Sequence, residues 1–274
     1  MARLVFAAHD PGGALMIGAA APELMRRGHE LEFIAAGPGG EVWRRAGHEV
    51  VALGGADEIA AAGLAIPDGV IAATGFGEFE RGAWRWAREQ GVRSLAAIDS
   101  WTHLLRRFET PAGYDFPDLV AVIDAETEAA FSTQAAAGPQ TAVVGQPHLE
   151  AQTARLRSAR QSYRGDAQRP NLVFFSEPII EDFGPGQRGF DQFQVFELAV
   201  QGLLSSGAEG LTLAVKPHPR ETLERWRSLV GQLAETSHIS AYIAEQTAED
   251  LLAAADGAVG MTTMVLLEAH LARL

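Results

Sequence analysis

Leu4-Val5-Phe6-Ala7-Ala8-His9-Asp10-Pro11-Gly12-Gly13-Ala14 decides the fold. Five apolar residues of strand length run into a turn of polar and helix-starting residues, and a helical period follows. That is the opening βα unit of a buried parallel sheet. The same alternation continues outward. Strands are predicted at Leu4–Ala8, Glu30–Ala35, His48–Ala52, Gly69–Ala73, Arg93–Ile98, Leu119–Ile123 and Thr141–Val144. Helices are predicted between them, most clearly over Ala14–Arg27, Gly77–Gln90 and Ala125–Ala137. Residues 151–170 are polar and arginine-rich and read as a linker or crossover helix. A second alternation then sets strands at Asn171–Phe175, Leu211–Val215, Ile239–Ile243 and Gly257–Val259. Its helices fall at Phe190–Leu204, Glu221–Ala234, Ala248–Ala254 and Thr263–Ala272.

The expected fold class is therefore α/β, with two doubly wound, Rossmann-like parallel-sheet domains. The first spans 1–150 and the second 171–274. The second is expected to be C-terminally truncated, because the chain stops at Leu274 just after a helix where another βα unit would follow.

Composition narrows the function. The formal charge of −13 argues against a nucleic-acid or anionic membrane surface, both of which need clustered cations. The absence of cysteine excludes disulfides, thiolate metal sites and cysteine nucleophiles. No signal segment and no apolar stretch of membrane-spanning length is seen, so a cytoplasmic location is expected. An anionic ligand then requires a local cationic pocket. The single lysine supplies one candidate: Lys216-Pro217-His218-Pro219-Arg220 follows a predicted strand, where open α/β sheets hold ligands. Lys216, His218 and Arg220 are its candidate phosphate ligands. Gly260-Met261-Thr262-Thr263 begins a helix after another strand and offers hydroxyl and N–H donors, chiefly from Thr262 and Thr263. Ser176, at a third strand end, is a further candidate donor. Glu268, inside an otherwise apolar helix, is a candidate for ribose hydroxyls.

In the first half, Gly12 and Gly13 in the opening turn are candidate anion donors, and His9 or Asp10 is a candidate general base. The turn is no dinucleotide fingerprint, since G-x-G-x-x-G is absent. Asp10 as a simple helix cap is the structural alternative. Asp99-Ser100-Trp101, with Arg106-Arg107-Phe108 further on, suits an acceptor or sugar platform in which an aromatic face is flanked by polar groups. The alternative there is that Asp99 or Ser100 caps a short helix. His9, Asp10, Asp99, His103 and His148 lack any metal-ligand spacing, and no metal or cofactor is expected.

Three segments carry a resemblance. Val143-Val144-Gly145-Gln146-Pro147 looks like the V-T-G-N-P segment that closes the first domain of GT-B proteins, the superfamily of two-domain glycosyltransferases that includes UDP-N-acetylglucosamine 2-epimerase. Lys216-Pro217-His218-Pro219 is similar to the H-P element of bacterial sialyl, capsule and glycerophosphate transferases. Gly260-Met261-Thr262-Thr263 with Glu268-Ala269 is similar to the loop and helix that hold the donor diphosphate and ribose, although the loop reads M-T-T-M where the epimerase has D-S-G-G. The resemblance implies metal-independent use of a nucleotide-activated sugar and an acceptor between two domains, for cell-surface polysaccharide or glycolipid synthesis. Alternatives are a UDP-N-acetylglucosamine 2-epimerase-like enzyme and a non-catalytic nucleotide or sugar-phosphate binding protein. Oligomeric state is not readable.

Overall fold

The computed structural model describes residues 1–135, 137–207 and 210–274. They form two compact units, Met1–Ala151 and Gln152–Leu274.

Unit 1 begins β1 (Arg3–Ala8), α1 (Pro11–Gly18), α2 (Ala21–Arg26), β2 (Glu30–Ala35), α3 (Gly39–Arg45) and β3 (Val50–Ala52). The chain then returns to the middle of the sheet with β4 (Gly69–Ala72), α4 (Phe79–Glu89) and β5 (Arg93–Ala97). A short hairpin, β6 (Glu109–Thr110) and β7 (Gly113–Tyr114), precedes β8 (Leu119–Val122), α5 (Ala125–Gln134) and β9 (Gln140–Val143). The sheet is seven-stranded in the order β3-β2-β1-β4-β5-β8-β9, and every pairing is parallel. Chain order reverses between β1 and β4, so the crevice of such a sheet opens at their carboxyl ends. Successive β1 residues serve opposite faces: Val5 and Ala7 join the cluster around Trp84, Phe108 and Phe131, while Phe6 and Ala8 join Met16, Phe33 and Trp43.

Two expectations need correction here. The helix predicted over Ala14–Arg27 starts earlier, with Pro11 at its first position, and breaks after Gly18. Pro22 accounts for the break: it has no N–H to give the Gly18 carbonyl, and its ring would clash with that carbonyl in a continuous helix. A new helix, α2, opens around it instead. Trp43 of α3 packs into the broken end, its indole Nε1 donating to Ala14 O at 2.9 Å. The hairpin lies outside the predicted strands, because two-residue strands leave no readable period. The predicted end of the helix over Ala125–Ala137 includes Ala136, which lies outside the described residues; α5 itself ends at Gln134.

Of the two readings of segment 151–170, the helix holds for its first half, through which α6 (Pro147–Arg160) runs. Unit 2 continues with β10 (Asn171–Phe175), α7 (Ile179–Phe183), α8 (Gln192–Ser205), β11 (Thr212–Lys216), α9 (Leu223–Thr236), β12 (Ser240–Ile243), α10 (Ala248–Ala253), β13 (Gly257–Val259) and α11 (Met264–Leu271). The arginines of α6 explain its composition. Arg157 donates to Leu271 O at the end of α11, at 2.6 and 3.1 Å, and Arg160 to Leu252 O and Ala255 O at the end of α10, at 2.6 and 2.7 Å. Carbonyls at and just past helix ends lack a full set of intrahelical donors and are open to such bonds.

The unit 2 sheet is parallel, ordered β12-β11-β10-β13. Its two faces bury Val173, Phe175 and Ala214 on one side and Phe174, Val215 and Trp226 on the other. Among the described residues no helix is long and apolar enough to cross a membrane.

Candidate functional site

The carboxyl edge of the unit 1 sheet gathers three strand ends. After β1, His9 Nδ1 lies 2.9 Å from Asp10 Oδ1, with both side chains about half exposed. Asp10 stands at the N-cap position of α1, yet its side chain accepts nothing from the helix. The capping alternative therefore fails, and Asp10 is left to orient the imidazole. After β5, Asp99 does not cap a helix either. Its Oδ1 pairs with Arg107 at 2.7 Å, and Ser100 Oγ accepts from the same guanidinium at 2.6 Å. After β4, Thr74 gives its carbonyl to Arg107 at 2.7 Å and its hydroxyl oxygen at 3.1 Å. One buried arginine thus ties the loops after β4 and β5 together. Trp101 remains exposed, its Nε1 donating to Asp124 Oδ2 at 2.6 Å. That bond, with those from Thr127, holds the Asp124 carboxyl below its ordinary value.

Gly12 and Gly13, the candidate anion donors, sit in a tightly packed turn. A Cβ at Gly12 would stand 2.9 Å from Asp99 Oδ2, and one at Gly13 would stand 2.4 Å from Ala73 Cβ. Gly13 is needed for close packing of α1 on the end of β4, and a carboxylate borders the turn. A second carboxylate escapes the sequence reading entirely. Glu80, in the first turn of α4, is 1 % exposed and accepts the His9 N–H at 2.8 Å. Burial is the largest influence raising its proton affinity, and the Asp10 charge adds to it. Its sequence signal, an acidic residue opening a helix, matches an ordinary first-turn carboxylate.

At the carboxyl edge of the unit 2 sheet, Lys216 ends β11 and extends its Nζ toward Ala244 O and Glu245 O, at 3.4 and 3.3 Å. It makes no ion pair among the described residues. His218 is fixed on both sides: its backbone N–H donates to Glu221, and its Nδ1 accepts from Arg220 N at 3.2 Å. Desolvation first, and then the Arg220 charge, lower the pKa of the imidazole. With Nδ1 as acceptor, the neutral ring carries its proton on Nε2 and presents it as a donor. Glu221 is the hidden support of this turn. It also accepts from Ser176 Oγ at 2.9 Å and from Trp226 Nε1 at 3.2 Å, and desolvation raises its pKa.

Several expected ligands are engaged by the protein's own groups. The Ser176 hydroxyl proton goes to Glu221, and its amide to Lys216 O at 3.0 Å, so Ser176 has no donor left for a phosphate. Arg220 is gripped through both terminal nitrogens by Asp182 of α7. Thr262 gives its N–H to Glu177, and its hydroxyl to the same carboxylate at 2.8 Å. Thr263 caps α11, its Oγ1 accepting from Val265 N at 3.4 Å. A carboxylate thus already lies beside the start of α11, where a helix receives negative charge. Glu268 is half-buried. Desolvation, then the Glu249 charge, raise its pKa against the opposing pull of Arg155.

The fold has clear counterparts among solved structures. A putative UDP-N-acetylglucosamine 2-epimerase from Listeria monocytogenes superposes with a TM-score of 0.67 at 13% identity, covering 98% of this chain and 76% of that one. The UDP-GlcNAc 2-epimerase from Neisseria meningitidis, solved with UDP-GlcNAc, gives 0.61 at 10% identity over 97% and 79%. The Anabaena protein HepE, solved with UDP-glucose, gives 0.57 at 12% identity over 99% and 79%. No protein family is matched by the sequence, and no curated protein matches it. Two Rossmann-like units with these counterparts have the GT-B fold. At such identities the likeness establishes architecture and leaves chemistry to the residues.

Proposed function

We propose that this chain is a glycosyltransferase-like enzyme acting on a nucleotide-activated sugar, in cell-surface polysaccharide or glycolipid synthesis. The observation that carries this reading is the end of β11. A lysine ammonium without a carboxylate partner among the described residues and a neutral imidazole presenting Nε2–H stand two residues apart on a turn braced by Glu221. Such a pair stabilises the charge that develops on a departing phosphate, and no step of this reading calls on a bound metal. Thr262 and Thr263 at α11 add donors once Glu177 has moved aside, and Glu268 takes the ribose hydroxyls. In unit 1, His9 oriented by Asp10 is the base toward the acceptor hydroxyl, with Asp99, Ser100 and Trp101 as the acceptor platform.

The deciding experiment is a thermal-shift titration with UDP, CMP, GDP and ADP. One nucleotide is expected to raise the melting temperature, since at a hundredfold excess over Kd binding adds about 2.7 kcal/mol. Lys216→Ala and His218→Ala are each expected to abolish that shift at the same concentration. Four flat titrations of the parent chain would remove the donor-site assignment.

A second reading is favoured by the carboxylates of unit 1. Asp10, Glu80 and Asp99 crowd one sheet edge, as proton abstraction from a sugar carbon requires. An epimerase converts a nucleotide sugar with no acceptor present. A changed sugar in acceptor-free product analysis would select this reading over transfer.

A further inference from the structure

Glu80 is a buried acid for which the transfer reading above has no use. One carboxyl oxygen, Oε1, holds the His9 N–H at 2.8 Å; the other, Oε2, is buried with no hydrogen-bond partner among the described residues. No cation among those residues neutralises it. Its neighbour Arg81 turns instead to Glu78 at 2.8 Å, to Arg107 O at 3.1 Å and to Phe76 O at 3.4 Å. Arg107 is committed to Asp99 and the Thr74 loop. An isolated buried carboxylate is costly to keep charged, which favours its protonated form, and a proton there needs an acceptor.

Asp10 is the candidate acceptor beside Glu80. A Cβ at Gly75 would stand 3.0 Å from Asp10 Oδ2 and 3.0 Å from each oxygen of Glu80, so the two carboxyl groups lie within twice that distance of each other. The groups facing Glu80 are His9 and Asp10 from the turn between β1 and α1, and they are also the charges that act on it. Asp99, next along the edge, is already paired with Arg107.

We propose that Glu80 is a positioning residue for the His9–Asp10 pair, fixing the His9 backbone through Oε1 and holding through Oε2 a proton that it shares with the Asp10 carboxylate. The pair then carries one negative charge. Asp10 keeps its hydrogen bond to His9, and the base is set in one orientation. This deepens the base assignment of the proposed function and rests on it for its catalytic meaning, while the proton sharing stands or falls by itself.

The test needs no substrate. In protein carrying 13C-labelled glutamate, the Glu80 carboxyl signal, assigned by its loss in Glu80→Gln, is followed against pH in the parent chain and in Asp10→Asn. If the proton is shared, removing the Asp10 charge lowers the Glu80 midpoint by about one pH unit, because ionised Glu80 no longer faces a like charge. Burial alone would leave the midpoint where it was, so an unchanged or raised midpoint overturns the proposal. Asp10→Ala gives the same readout should the asparagine variant fold poorly, and the same two outcomes decide it. Failure here leaves the nucleotide titration untouched, and flat nucleotide titrations leave this result standing.

Discussion

Replacing Arg107 with alanine is expected to cost about 3–5 kcal/mol of stability, the range for breaking a buried ion pair from one side. The side chain is 5 % exposed, and its two terminal nitrogens bind five oxygens. Alanine would strand the Asp99 carboxylate and the Thr74 carbonyl without their donor. Lysine is expected to rescue little, because a single ammonium cannot fork between Asp99, Thr74 and Ser100. Urea denaturation followed through tryptophan fluorescence measures the loss. A change below about 1 kcal/mol would mean that water satisfies the network as well as the guanidinium does.

The largest kinetic effect is expected at His9. Under the transferase reading, His9→Ala lowers kcat by about 10²–10⁴-fold, the usual contribution of a positioned general base. Nucleotide binding should persist in the variant, since the ligands assigned to the donor phosphate and ribose lie in unit 2 and His9 in unit 1. Asp10→Ala should reproduce part of the loss by freeing the imidazole to rotate and change tautomer. Steady-state rates with the donor identified by thermal shift provide the check. Full turnover in both variants would remove the base from this pair of residues.

The strands are legible because parallel strands buried on both faces write themselves as apolar runs. Asn171–Phe175 and Gly257–Val259 begin and end where the sequence places them. The break after Gly18 is half legible. Pro22 announces it locally, whereas the indole that packs into it arrives from 29 residues away.

The candidate site divides in the same way. Lys216 and His218 stand out, since a lone lysine and a histidine between two prolines at a strand end are local features. The carboxylates that give the site its character are hidden. Glu80 acts on His9 across 71 positions, Glu221 on Ser176 across 45 and Glu177 on Thr262 across 85. Each is an ordinary surface-type residue in its own stretch of sequence, and only the return of the chain to one sheet edge makes it a partner. Arg220 shows the converse. It reads as a phosphate ligand beside Lys216, and Asp182 claims it.

The contact between Glu177 and Thr262 bears on what unit 2 can select. Under the donor-site reading, a ligand settling at the start of α11 does not enter an empty electropositive hollow; it exchanges with the Glu177 carboxylate that already lies there. The site therefore responds to the difference between two anions. A monoanionic carboxylate or sulfonate gains little over the resident side chain, whereas a group with two or more charges and several acceptor oxygens gains on both counts. Under the proposed donor-site reading, a diphosphate then keeps an advantage over simple monoanionic acids.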